Sequence, residues 1–154
     1  MIKKFCSFCL LLIWLGLIFG FSQENGSESS GMSEKLIKGV VMIFTDIDSD
    51  NEKLGEIVNK YSFPVRKAAH FTEYFILSII TLNFFACFEI NYRILIYSAL
   101  FCILVAVCDE FFQTFIPGRD GNIKDVLLDS SGALIGSYLV SRFYLFRGKN
   151  EINS

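Results

Sequence analysis

Four apolar runs of membrane-spanning length occupy residues 5–21, 65–88, 94–116 and 123–146, and the last three carry ionisable clusters at one end. The clusters are Arg66-Lys67-Ala68-Ala69-His70-Phe71-Thr72-Glu73-Tyr74, Asp109-Glu110-Phe111-Phe112-Gln113, and Gly118-Arg119-Asp120 continuing to Asp125 and Asp129. A helix rises about 1.5 Å per residue, so each run reaches across a hydrocarbon core of about 30 Å. A charge in such a run costs a few kcal/mol unless it faces the bundle interior and pairs, so each cluster is a candidate functional site.

Counting turns places the clusters at one depth. Glu73 lies 15 residues before Phe88, Asp109 lies 15 residues after Ile94, and Asp129 lies 17 residues before Phe146. These separations correspond to rises of about 22–26 Å, within the outer part of the core. Carboxylates from three spans therefore share a layer.

Composition supports the membrane reading. The chain has 154 residues, 53% of them hydrophobic and 17 of them Phe, too apolar for a soluble domain of this length. A net charge of −2 and the lack of a basic run leave nothing for nucleic acid to bind. The cysteines at 6, 9, 87, 102 and 108 sit in or beside apolar runs and read as small apolar filler, not as disulfide partners.

The expected fold is all-α, a single domain over residues 1–154. It is a polytopic membrane helical bundle of four transmembrane helices plus an extracytoplasmic amphipathic helix. The first run has a basic start at Lys3-Lys4, as a signal peptide would. It is longer than the usual apolar region of one, and no clear cleavage site follows, so it reads as a retained helix. With the amino terminus inside, Lys3, Lys4, Arg93, Arg142, Arg147 and Lys149 are cytoplasmic against only Glu89 and Glu151, which follows the positive-inside bias. Both termini are then cytoplasmic, and residues 22–64 form an outer loop. Within it, 22–31 reads as a flexible linker and 46–52 as a solvated acidic loop. Between them, residues 32–47 carry apolar positions 36, 37, 40, 43, 44 and 47 on one helical face, as a cover on the outer surface would.

Facing narrows the site. Residues three and four apart share a helix face, so Arg66, His70 and Glu73 align, as do Asp109 and Gln113, and Glu110 and Gln113. Asp125, Asp129, Gly132 and Gly136 form one stripe, and Gly132-x-x-x-Gly136 lets another helix approach closely. The ligand-binding candidates are Arg66, Lys67, His70, Glu73, Asp109, Glu110, Gln113, Arg119, Asp125 and Asp129. The basic members hold an anion or neutralise the acids, and Pro117-Gly118 turns Arg119 and Asp120 back over the bundle mouth. The catalytic candidates are His70, Glu73 and Asp109, with His70 as base. Zinc or iron on His70, Glu73, Asp109 and Asp129 is set aside, because the layer has no cysteine and no dense ligand spacing. No metal and no other cofactor is expected.

These motifs, with Thr114-Phe115, Gly121, Val126-Leu127-Leu128, Phe21-Ser22 and the serines at 29, 30 and 33, resemble the VanZ-like family of small bacterial membrane proteins. The resemblance covers nearly the whole chain. It implies a multi-pass cell-membrane protein of the cell envelope that keeps its first span. The family's namesake is associated with low-level resistance to teicoplanin, an antibiotic that acts on wall precursors outside the membrane. No established mechanism comes with the family, so it assigns no catalytic residues. Two functions fit these residues. One is binding of a membrane lipid headgroup or lipid-linked wall precursor in an outward-facing polar pocket, with a link to glycopeptide resistance. The other is a membrane-embedded hydrolase or transferase acting on a lipid.

Overall fold

A computed structural model describes residues 1–45, 52–88 and 93–152, side chains excepted at 27–28 and 143–152. The described residues form helices α1 (Ile2–Ser22), α2 (Gly26–Phe44), α3 (Glu52–Ala86), α4 (Arg93–Gln113) and α5 (Ile123–Ile152), with no strand among them. Residues 46–51, most of the expected acidic loop, and Glu89 lie outside the described residues, as do the side chains of Arg147, Lys149 and Glu151. Among the described residues three helices are long and apolar enough to cross a membrane: α1, α3 and α4. The fourth expected span, α5, does not reach the same apolarity. Asp125, Asp129 and the serines at 130, 131, 137 and 141 interrupt its run.

Helix α3 is the central post, contacting all four other helices. Its buried Tyr74, Leu77 and Ile80 pack with Leu11 and Ile18 of α1, Cys102, Val105 and Ala106 of α4, and Ala133 of α5. The apolar exterior is as telling. Leu12 and Ile13 on α1, Leu100 and Leu104 on α4, and Leu134, Leu139 and Tyr138 on α5 are all exposed. In lipid there is no hydrophobic drive between helices, so close van der Waals packing must hold them together. Helices α3 and α5 meet through Gly132 and Gly136, as the small-residue stripe predicts. A Cβ at Gly132 would strike the Phe71 carbonyl oxygen, and one at Gly136 would strike Ser78 Oγ and come 2.6 Å from the Phe75 carbonyl oxygen.

Contacts at the two ends fix the helix directions. Lys4 Nζ sits 4.5 Å from the Phe88 ring centroid, so the start of α1 meets the end of α3. At the opposite end, Gly26 N donates to the Pro117 carbonyl at 3.3 Å, joining the start of α2 to the turn after α4.

Two boundaries differ from expectation. The linker expected over 22–31 is helical from Gly26 onward. Gly26 packs on the Gly118 carbonyl so closely that a Cβ would not fit, and Ser30 Oγ bonds back to the Gly26 carbonyl at 2.8 Å. That anchoring comes from the 117–118 turn, far along the chain, and local composition carries no sign of it. The helix that carries the second span begins well before residue 65, as α3 runs unbroken from Glu52 through Pro64. Its amino-terminal part is held by a separate apolar cluster of Ile37, Leu54 and Val58. Of the stripe predicted on α2, Ile37 is buried and Leu36, Val40, Ile43 and Phe44 are exposed, and Ile47 lies outside the described residues.

Candidate functional site

The α1–α2 junction, α2, α3 and the turn after α4 enclose a cavity of about 190 Å³. Helical spacing on α3 presents Arg66, His70 and Glu73 to it, Arg119 closes one side, and Phe21, Met32 and Leu36 supply apolar wall. It lies toward the end of the bundle opposite Lys4.

Arg119 is the keystone of this rim. Gly118 has a φ of 74°, a left-handed conformation that glycine adopts without strain, and the turn sends Arg119 back toward α1. Its Nη2 donates to the Phe21 carbonyl at 2.9 Å and its Nε to the Glu24 carbonyl at 2.8 Å. Burial and the neighbouring Arg66 guanidinium draw its pKa below the ordinary arginine range, against the opposing pull of Asp109, Glu24 and Glu110. Arg66 Nη1 makes a long bond of 3.5 Å to Ser30 Oγ. Two guanidiniums thus share one wall.

The acids lie among the helices. Asp109 and Asp129 have no exposed surface, and Glu110 and Gln113 are buried as well. Gln113 Nε2 donates to Asp109 Oδ2 at 3.2 Å, and Glu110 Oε2 accepts from the Asn122 backbone N–H at 2.9 Å. Lys67 Nζ pairs with Asp125 Oδ1 at 2.5 Å, tying α3 to α5. His70 Nδ1 stands 3.7 Å from Glu73 Oε2, and Trp14 Nε1 donates to the Glu73 carbonyl at 3.1 Å.

The fold therefore gathers the sequence candidates into two adjoining groups. Arg66, His70, Glu73 and Arg119 line the cavity, while one ligand atom each from His70, Asp109 and Asp129 lie within 4.8 Å of one another. His70 belongs to both. Lys67 and Asp125 are engaged with each other, and Glu110 and Gln113 brace the loop and Asp109. Asp120 is exposed and lines no part of the cavity. Expecting no metal rested on sparse ligand spacing along the chain, and folding removes that objection for His70, Asp109 and Asp129.

Sequence reasoning missed Glu24 and Asn122, which contribute a backbone carbonyl and a backbone N–H. Main-chain groups leave no residue-type signal. Met32 and Leu36 of the wall lie on α2, which sequence reasoning treated as a cover.

Described residues that form helices without a strand, three of those helices of membrane length and apolarity, with an apolar exterior and buried acids, define an integral membrane protein. The VanZ/LLP1 family model matches residues 7–146, and the chain belongs to that family. No curated protein and no solved structure matches it.

Proposed function

We propose that the protein binds the anionic headgroup of a membrane lipid, or of a lipid-linked wall precursor, in the cavity bearing Arg66 and Arg119. The carrying observation is the pairing of two guanidiniums with an apolar wall of Phe21, Met32 and Leu36 in one open cavity. Guanidiniums match phosphate oxygens in pairs, and the apolar wall suits the first carbons of an acyl or polyprenyl chain. In this reading α5 is a fourth span with its exposed Leu134, Tyr138 and Leu139 against lipid. Both termini are cytoplasmic, and the cavity opens on the outer side, where α2 lies along the interface on its exposed Leu36, Val40, Ile43 and Phe44. A site there would change how a lipid-anchored glycopeptide meets its target, so teicoplanin sensitivity is the phenotype to measure.

A second reading, lipid hydrolysis with His70 as base, is favoured by His70 and Glu73 lying 3.7 Å apart on the cavity wall.

The test is a thermal-shift titration of the detergent-solubilised protein with short-chain phosphatidylglycerol and with phosphatidylcholine. Binding at the arginines predicts a saturable rise in Tm with the anionic lipid, lost in Arg66→Gln. Equal shifts with both lipids would contradict it. Turnover of either lipid, abolished in His70→Gln, would favour the hydrolase instead.

A further inference from the structure

We propose that His70, Asp109 and Asp129 form a binding site for one divalent transition-metal cation of the zinc type at the inner edge of the cavity. The proposal does not depend on lipid binding. Its donors come from three different helices, α3, α4 and α5, and one ligand atom from each lies within 4.8 Å of the other two. Ligands on a tetrahedral ion at about 2.0–2.2 Å stand roughly 3.3–3.6 Å apart, so the triangle closes by up to about 1.2 Å at its widest edge when an ion binds. Rotation of the aspartate side chains is the movement that closes it.

Unmet bonding in the cluster points the same way. Asp129 has no exposed surface, and neither of its carboxylate oxygens has a hydrogen-bond partner among the described residues. Asp109 is equally buried, and besides Gln113 the Ser22 and Tyr74 hydroxyls face its carboxylate, so the unmet bonding is that of Asp129 above all. Buried polar atoms are nearly always partnered, and an exception of this size calls for an explanation such as an ion. Lys67 is already paired with Asp125. One divalent cation would neutralise both carboxylates together.

The surroundings match those of metal ligands. Gln113 Nε2 holds Asp109 Oδ2 at 3.2 Å and so fixes which oxygen faces inward. Glu73 Oε2 lies 3.7 Å from His70 Nδ1, beyond hydrogen-bond distance, and is the charged oxygen beside that nitrogen. Ligating carboxylates and histidines usually carry outer partners of this kind. His70 also lines the cavity, which gives an ion a way in. One imidazole and two carboxylates without a thiolate suit zinc and its first-row neighbours.

The test uses the full chain in detergent, stripped with a chelator and titrated with Co²⁺ and then Zn²⁺. We expect one equivalent of Co²⁺ to give a visible d–d absorption without a thiolate charge-transfer band, and Zn²⁺ to displace it and raise Tm. Asp129→Asn and His70→Gln should each weaken Zn²⁺ binding at least tenfold, while Lys35→Met should not. A thiolate band in the wild type would assign the ion to cysteine and overturn the proposal, a result that needs no variant to fold. Absence of saturable binding by the folded wild type, or equal affinity in a folded Asp129→Asn, would also overturn it.

Discussion

Arg119 reaches back across the bundle mouth to the Phe21 carbonyl, 2.9 Å from Nη2, and so locks the end of α1 to the turn that follows α4. The same side chain holds the Glu24 carbonyl and lines the cavity. It therefore combines a structural task with a binding one, and substitutions should separate them.

Arg119→Lys keeps the charge but loses the planar fork that serves two carbonyls at once. Hydrogen bonds from a charged donor contribute about 1.5–3 kcal/mol each, less where solvent competes, so Arg119→Lys should cost about 1–3 kcal/mol in detergent unfolding. Arg119→Ala should cost more. An unchanged Tm in both would mean that the two carbonyl bonds do not hold the mouth closed.

The helix contact at Gly136 should be intolerant of added volume. A Cβ there comes 2.6 Å from the Phe75 carbonyl oxygen, so Gly136→Val should overpack the α3–α5 seam and cost about 1–3 kcal/mol. Gly16 on α1 has nothing within 4 Å of a built Cβ. Gly16→Ala should instead be neutral or stabilising by up to about 1 kcal/mol, because alanine is the better helix former. Thermal melts of the two variants should therefore move apart in sign.

These contacts show what the sequence made legible. Arg66, His70 and Glu73 share a wall because helical spacing makes them do so, and the spacing is visible in the chain. Depth counting brought Asp109 and Asp129 to one layer, and the glycine stripe marked a close helix contact on α5 without naming α3 as its partner. What stayed hidden depended on distant partners. The start of α2 at Gly26 is set by the Pro117–Gly118 turn, and Lys67 is committed to Asp125 instead of standing free beside the arginines. Local pattern specifies which face a residue occupies, while the choice between rival partners is made by packing.

Orientation can be read by cysteine labelling once the native cysteines at 6, 9, 87, 102 and 108 are replaced. Lys35 on α2 and Lys3 on α1 are both exposed. A membrane-impermeant maleimide should label Lys35→Cys in intact cells and Lys3→Cys only after permeabilisation. The reverse pattern would put the cavity on the cytoplasmic side and remove the wall-precursor reading.

The most direct measurement is native mass spectrometry of the protein released from its own membrane. The wild type should carry an adduct with the mass of an anionic lipid or polyprenyl phosphate, and the folded Arg66→Gln variant should lose it. Lys60→Gln, a change on the exposed surface of α3, should keep it. Identical adducts on all three proteins, or none on the wild type, would contradict a lipid-anion site at Arg66 and Arg119.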